Sequence, residues 1–173
     1  MTDLQPKTPQ HLFDALKQIA ISHTTVTHQA VMTVEQSRAL RGDLPGRHSK
    51  NLFLKDKKGN LWLVVADERR TIDLKALRQR LGVANLSFAK AELLLDVLGV
   101  TPGSVTPFAV INDQSGRATV VMDKALLDAD QVSFHPLTNN QTTTITGDDL
   151  GEFLRAMNHE PIVIDFSADH QID

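Results

Sequence analysis

Residues 46–66 read GRHSKNLFLKDKKGNLWLVVA, and this stretch decides how the rest of the chain folds. Two apolar-rich runs, residues 50–55 and 60–66, are joined by a short charged segment that contains Gly59. Such runs on either side of a glycine-containing turn predict a β-hairpin, in which the glycine supplies a positive φ. We expect the first strand of this hairpin to begin at Lys50, directly after the basic turn.

Lys50 and Asn51 therefore lie where a loop passes into a sheet. A rigid strand fixes the side chains at a loop end and leaves them open to a ligand, so this is a favourable place for a functional site. The competing interpretation is a solvated turn that carries a few charges, which is the usual meaning of a lone basic cluster. The rest of the chain has to decide between the two.

Outside this stretch, the sequence predicts helices and strands in irregular alternation. Helices are expected behind the capping residues Thr8, Thr33, Asp73 and Ser87, in residues 124–127 as a short turn, and from Asp148 to about Met157. Strands are expected in residues 24–32, 108–111, 118–122, 131–135, 142–145 and 162–166. The helices after Asp73 and Ser87 are expected to be neighbours. This order predicts an α+β fold with a mixed, largely antiparallel sheet surrounded by helices.

Composition excludes several kinds of chemistry. The chain has 173 residues, which suits one domain spanning residues 1–173, and no cysteine, which excludes disulfides, thiolate zinc sites and a cysteine nucleophile. The seven histidines have no His-x-x-x-His spacing, so no metal is expected. There is no glycine-rich nucleotide motif and no Gly-x-Ser-x-Gly elbow, so neither a nucleotide cofactor nor a serine triad is expected.

Neither a signal peptide nor a membrane span is expected. The first ten residues are polar and contain Pro6 and Pro9. No apolar run approaches the ~20 residues that a membrane helix needs. The sequence therefore predicts a soluble cytoplasmic protein without a membrane partner.

Charge is divided unevenly along the chain. The formal net charge is -3, but residues 38–90 contain 13 of the 18 Lys and Arg and only 5 of the 21 acids, a local excess of +8. A basic segment beside an acidic body can direct a polyanion such as nucleic acid to one face. The alternative is that these charges mix again in the folded protein.

Three further features could meet at one edge of the sheet. They are Lys50, the loop of residues 100–107 with its two prolines and a glycine, and His135 at a strand end. A cation and backbone amides can hold an ester carbonyl or a phosphate while water attacks, so these features suit non-covalent hydrolysis.

The order and spacing of these segments resemble the YbaK and prolyl-tRNA synthetase editing-domain superfamily, and more narrowly its free-standing members called PrdX or ProXp-ala. The resemblance rests on residues 45–54, the hairpin after them, residues 102–107 and Asn112-Asp113, and it covers a core of about residues 8–166. It implies a trans-acting hydrolase of mischarged aminoacyl-tRNA, and the ProXp-ala group removes alanine from tRNA(Pro). The family's reaction is assisted by the 2′-hydroxyl of the substrate.

The resemblance also implies roles for particular residues. The family's lysine corresponds to Lys50, its Gly-x-x-x-Pro loop to Gly103 and Pro107, and the histidine of its amino-acid pocket to His135. The residues implied to contact the substrate are Asn51, Ser104, Val105, Thr106, His135 and Val31. His135 could instead be a structural residue, and Val31 could be simple core. Phosphate contacts to the tRNA are expected from Arg47, His48, Lys55, Lys57, Lys58, Arg69, Arg70, Arg78 and Arg80.

The sequence leaves two other functions open. A Cys-tRNA(Pro) deacylase of the same superfamily, or one for another small amino acid, would have the same overall pattern. A non-catalytic module could hold an aminoacyl end or act as an adaptor for prolyl-tRNA synthetase. The expected partner is therefore tRNA, with a synthetase as an additional possibility.

Overall fold

The computed structural model describes residues 5–30 and 46–167. Elements are numbered in chain order within these residues. The strands are β1 (Thr24–Thr27), β2 (Arg47–Asp56), β3 (Leu61–Asp67), β4 (Leu86–Phe88), β5 (Ala118–Asp123), β6 (Val132–Phe134), β7 (Gln141–Ile145) and β8 (Ile162–Ile164). The helices are α1 (Pro9–Gln18), α2 (Leu74–Leu81), α3 (Ala91–Leu98), α4 (Lys124–Leu127) and α5 (Gly147–Ala156), with 3-10 turns at Pro102–Ser104 and Pro107–Asn112. Val31 and the helix predicted behind Thr33 lie outside the described residues.

All eight described strands belong to one sheet, in the order β1-β7-β6-β2-β3-β5-β8, with β4 added to β2. Four strand pairs are antiparallel: β1 with β7, β6 with β7, β2 with β3 and β2 with β4. Three are parallel: β2 with β6, β3 with β5 and β5 with β8. The predicted α+β fold with a mixed, largely antiparallel sheet is confirmed.

The hairpin of β2 and β3 is the centre of this sheet. Its turn is tied together by the buried carboxylate of Asp56, which accepts hydrogen bonds from the backbone of Lys58 and Asn60 and from the Trp62 indole. Gly59 has a φ of +88°, as the turn prediction required. The predicted hairpin is therefore confirmed.

The predicted start of its first strand is wrong, because β2 begins at Arg47 and not at Lys50. Arg47 and His48 belong to the strand because they pair with β6. The Arg47 amide also donates a hydrogen bond to the Gln131 carbonyl oxygen at 2.9 Å. Gly46 makes this approach possible. Its φ is +84°, and a β-carbon there would lie 2.8 Å from the Gln131 oxygen.

Side chains that alternate along the central strands form two cores on opposite faces of the sheet. On β3, Leu63 and Val65 face the larger core, which α1, α3 and α5 cover. Trp62 and Val64 face the smaller core, which α2 covers through Leu77. The expectation that α2 and α3 are neighbours is therefore wrong, because they cover different cores.

Two local predictions are also wrong. Ser87 does not cap a helix, because it belongs to β4 and pairs with Lys55, and α3 begins only after Lys90. Residues 108–111 do not form a strand but part of a 3-10 turn that starts at Pro107. A short apolar run that is buried on every side has no periodicity to distinguish a strand from a helical turn.

Candidate active site

β2 has an open edge in its middle, on the side away from β3. Its first two residues pair with β6 and its last three pair with β4. Between these two pairings, none of the described strands pairs with residues 49–52 on this side. We call this gap the notch. It contains Lys50 and Asn51, so these residues lie in an interruption of the sheet and not at a strand start.

Backbone groups point into the notch. At its far end the Phe53 carbonyl oxygen accepts a hydrogen bond from the Ala89 amide, on the notch side of β2. The direction of the peptide groups alternates from one residue to the next along a strand. The N–H and C=O groups of Ser49 and Asn51 therefore also point into the notch, where a ligand could meet them.

The register between β2 and β6 relates Lys50 to His135. β6 runs parallel to β2, with His48 paired to Ser133, and it ends one residue before His135. Extending the same register by two residues places His135 level with Lys50. Because paired residues share a face of the sheet, both side chains project from the same face. Pro136 follows and has no N–H with which the pairing could continue.

The hydrogen bonds of His135 fix its tautomer. Its Nδ1 lies 3.0 Å from the Gln141 carbonyl oxygen, so Nδ1 carries the proton and donates it. Burial lowers the pKa of His135; the Gln141 carbonyl opposes this change, and the charge of His28 adds to it. The imidazole is therefore neutral near pH 7, with the lone pair of Nε2 available to accept a hydrogen bond.

Polar side chains continue this face across β6 and β7. Ser133 Oγ lies 2.7 Å from Thr144 Oγ1, and His28 Nε2 lies 2.9 Å from Thr142 Oγ1. The His28 ring centroid is 6.4 Å from that of His135. Sequence reasoning missed these residues, although hydroxyl side chains at alternate positions of predicted strands were a usable signal for a polar sheet face.

Lys50 and Asn51 have different surroundings because they project from opposite faces of β2. Lys50 is half-buried, and its Nζ donates a hydrogen bond to the Arg70 carbonyl oxygen. An ammonium group has three protons, so two remain for a ligand. Asn51 donates from Nδ2 to Ser49 Oγ at 3.0 Å, while its buried Oδ1 has no partner within the described residues. An unpaired buried oxygen is costly, which makes it a candidate ligand contact.

The loop of residues 103–107 lies beyond the end of β6. A β-carbon on Gly103 would be 3.5 Å from the Asn139 amide nitrogen, in the turn that joins β6 to β7. Gly103 is exposed, whereas Ser104, Thr106 and Pro107 are buried and Val105 packs against the larger core. The side chains of this loop are therefore used for packing, and its backbone is the part that could meet a ligand.

Part of that backbone is already hydrogen-bonded inside the loop. The Ser104 amide donates to the Thr101 carbonyl, and the Thr106 side chain and carbonyl accept from the amides of Phe108 and Ala109. Because Thr106 is fully buried, a contribution to a ligand from residues 104–106 would come from the Val105 amide.

Paired charges surround the beginning of the notch. Asp67 is buried and lies 2.7 Å from Arg47 and 3.1 Å from Arg69. Burial raises the pKa of Asp67, but hydrogen bonds from Arg69 and Arg47 outweigh this effect and hold it well below its ordinary range. Arg70 pairs with the buried Asp123 at 3.3 Å. Three arginines are thus paired with two buried carboxylates here, which neutralise part of their charge.

The residues expected to bind tRNA do not form one patch. Arg47, His48, Arg69 and Arg70 lie at the β6 end of the hairpin, whereas Lys55, Lys57 and Lys58 lie at its turn. The ten residues of β2 separate the two groups by about 30 Å, at ~3.3 Å per residue. Arg78 and Arg80 lie on α2, where Arg80 donates to the Asp165 carbonyl oxygen.

Residues 5–30 and 46–167 contain no cluster of three or more histidine and acidic side chains that could hold a metal ion. In the same residues, no helix has the length and apolar character required to cross a membrane.

Comparison with known proteins identifies the family. The model of the aminoacyl-tRNA editing domain matches residues 28–153, which include both sides of the notch and the loop at Gly103. The zebrafish (Danio rerio) prolyl-tRNA synthetase associated domain-containing protein 1 is 38% identical over 159 residues, covering 91% of this chain and 86% of the relative. The prolyl-tRNA editing protein ProX of Acetoanaerobium sticklandii is 36% identical over 148 residues, covering 85% of this chain and 90% of ProX.

A solved structure supports the fold. The crystal structure of a proposed trans-editing enzyme for prolyl tRNA synthetase has a TM-score of 0.69 and 21% sequence identity, covering 94% of this chain and 98% of that one. The match of the family model over most of the chain is decisive. The chain belongs to the aminoacyl-tRNA editing domain family.

Proposed function

We propose that this protein is a trans-acting aminoacyl-tRNA deacylase that hydrolyses mischarged tRNA(Pro), with Ala-tRNA(Pro) as its main substrate. The observation that carries the proposal is the notch, which holds Lys50 and inward-pointing peptide groups, with a neutral His135 directly after β6, where the continued strand register would place it level with Lys50. Membership of the editing family and similarity to a protein named for prolyl-tRNA editing support the same reaction.

Each group in the notch has a chemical task in this proposal. The two free protons of the Lys50 ammonium contact the terminal phosphate or the ester carbonyl oxygen, and the Val105 amide helps to hold the ester. His135 Nε2 accepts a hydrogen bond from the amino group of the aminoacyl ester. Asn51 Oδ1 is available for a second hydrogen bond from the substrate.

The hydrolysis itself needs no covalent enzyme intermediate. Water adds to the ester carbonyl carbon, and the bond from this carbon to the 3′ oxygen of the terminal adenosine breaks. The 3′ oxygen takes up a proton, and the products are free alanine and tRNA(Pro). The neighbouring 2′-hydroxyl of the substrate assists the water, so the protein acts mainly by positioning.

The direct test is deacylation of a panel of substrates. We expect release of the amino acid from Ala-tRNA(Pro), slower release from Ser- or Gly-tRNA(Pro) and none from Pro-tRNA(Pro). A small pocket can exclude proline sterically, but one methylene or hydroxyl changes discrimination by only about 10–200-fold. Including Cys-tRNA(Pro) distinguishes the rival deacylase. A preference for cysteine, or no turnover with any substrate, would contradict the proposal.

The distribution of charge leads to a separate prediction for tRNA binding. Within the described residues no acid pairs with Lys57 or Lys58, whereas Arg47 and Arg69 share Asp67. We expect the affinity for tRNA(Pro) to fall steeply with salt, and the double variant Lys57→Ala, Lys58→Ala to flatten the log–log slope by up to about 0.7–0.9 per lost phosphate contact. Filter binding between 50 and 300 mM salt measures this.

The control for that measurement is Lys17→Ala, an exposed lysine on α1, away from the hairpin turn. It should leave the slope unchanged. An equal slope for the double variant and the wild type would show that the turn lysines do not meet phosphates.

A further inference from the structure

Phe88 is an unusual residue for the surface of a sheet. Its exposed fraction is 65%, the largest of any large apolar side chain in residues 5–30 and 46–167. It lies on β4, directly opposite Leu54 of β2, and β4 forms the second wall of the notch. An exposed aromatic ring beside a candidate active site requires an explanation that core packing does not supply.

Phe88 lies on the same face of the sheet as Lys50. Because Phe88 pairs with Leu54, both side chains lie on the sheet face from which Lys50 also projects. Four residues along β2 separate Leu54 from Lys50, about 13 Å at ~3.3 Å per residue. This distance is comparable to two nucleotides of an extended single strand.

A cation lies between the ring and Lys50. Extending the pairing of β2 with β4 by two residues places Lys90 level with Leu52, at the edge of the notch. Lys90 is exposed. One face therefore presents, in order, an aromatic ring at Phe88 and two cations at Lys90 and Lys50.

An aromatic platform followed by cations at nucleotide spacing is the arrangement with which proteins hold single-stranded nucleic acid. We infer that Phe88 stacks on a base of the unpaired 3′ end of tRNA, one or two nucleotides before the terminal adenosine, and that Lys90 contacts the phosphate between them. This inference rests on the proposed function and adds the path by which the 3′ end enters the notch.

Fluorescence of an unacylated RNA hairpin tests the inference. The hairpin carries the acceptor stem and unpaired 3′ end of tRNA(Pro), with 2-aminopurine replacing each unpaired base in turn. We expect the wild-type protein to quench 2-aminopurine at one position before the terminal base, since stacking reduces its emission. Phe88→Ala should abolish this quenching and weaken binding about 5- to 100-fold, whereas Phe88→Trp should keep both.

Matched variants separate a specific contact from a general effect. Leu95→Ala removes another exposed apolar side chain, 51% exposed on α3, and should change neither signal. Lys90→Ala should weaken binding and reduce its dependence on salt without abolishing quenching. Unchanged quenching and affinity in Phe88→Ala would overturn the inference, as would equal losses in Leu95→Ala.

The design also separates this inference from the proposed function, because unacylated RNA needs no hydrolysis. Quenching that depends on Phe88, in a protein that deacylates no substrate, would support the platform and contradict the deacylase. If Phe88→Ala instead deacylates Ala-tRNA(Pro) with unchanged KM and kcat, the result would support the deacylase and contradict the platform.

Discussion

Replacing Lys50 by alanine should lower the rate of Ala-tRNA(Pro) deacylation by about 10²–10³-fold, the usual effect of removing one group that stabilises developing charge on an acyl oxygen. Lys50 is the cation of β2 in the notch, and the β2–β6 register, continued by two residues, would place it level with His135. Single-turnover measurements at saturating enzyme are the appropriate assay, because they separate the chemical step from tRNA binding.

Lys55→Ala is the matched control, since Lys55 is on the same strand but beyond the notch and exposed. It should affect KM more than kcat. The fold of the Lys50 variant should survive, because the lost hydrogen bond to the Arg70 carbonyl contributes about 1 kcal/mol, a shift in Tm of roughly 2–4 °C. Near-wild-type turnover by a folded Lys50→Ala protein would remove Lys50 from the mechanism.

The second large effect is expected on stability, at a buried pair far from the notch. His159 Nε2 lies 2.9 Å from Asp113 Oδ2, and its Nδ1 lies 2.6 Å from the Met157 carbonyl oxygen. The Asp113 carboxylate and the Met157 carbonyl can only accept hydrogen bonds, so both ring nitrogens of His159 must donate. The imidazole therefore carries two protons. The side chains of His159 and Asp113 are only 2% and 1% exposed.

His159→Ala should lower the free energy of unfolding by about 3–5 kcal/mol, because it leaves a buried carboxylate without its counter-charge. Asp113 would keep only its hydrogen bonds from the Arg117 and Ala118 amides. Urea unfolding followed by circular dichroism measures the loss. A loss below 1 kcal/mol would mean that the pair is not charged in the folded protein.

The same pair predicts how stability depends on pH. Burial lowers the pKa of His159, but the Asp113 carboxylate and the Met157 carbonyl outweigh it and raise the pKa above 6.5. A group whose pKa is raised on folding stabilises the folded state fully below its unfolded pKa, and the contribution is lost as pH rises through the folded value. The unfolding free energy of the wild type should therefore fall above about pH 6.5.

Comparing the wild type with His159→Gln at pH 6 and pH 8.5 isolates this contribution, because glutamine at position 159 does not titrate and the other titratable groups are common to both proteins. The difference between the two proteins should shrink as pH rises. At acid pH the group that matters is Asp113. Burial raises its pKa, but hydrogen bonds from His159, Ala118 and Arg117 outweigh burial, so the pKa of Asp113 is lowered overall. Its contribution is present above about pH 4 and is lost below.

The ends of several helices could be predicted from the sequence, because residues only a few positions apart determine them. Thr8 and Asp73 cap α1 and α2 as expected, and Gly82 and Gly99 end α2 and α3. Capping and turn formation involve residues a few positions apart, so their patterns are readable in one chain. Ser87 failed as a cap because pairing with β2, a tertiary interaction, outweighed its local preference.

The candidate residues could be chosen from the sequence, whereas the shape of the candidate site could not. Lys50, Asn51 and His135 could be selected from residue type and family resemblance; Lys50 and Asn51 lie in the notch, His135 directly follows β6, and their roles stay a prediction. The notch itself depends on β6 pairing with only the first two residues of β2, which no local pattern encodes. Likewise, Asp113 and His159 are 46 residues apart in sequence, and neither carries a motif that announces the other.

The interruption in the pairing of β2 also bears on aggregation. Unpaired strand edges usually invite another chain to add itself as a further strand. With respect to the described strands, the free edge of β2 is only residues 49–52 long, and β6 and β4 occupy the positions on either side where an incoming strand would have to continue. The notch can thus offer peptide groups to a small ligand while leaving too little of this edge of β2 for a strand of a neighbouring molecule to pair with.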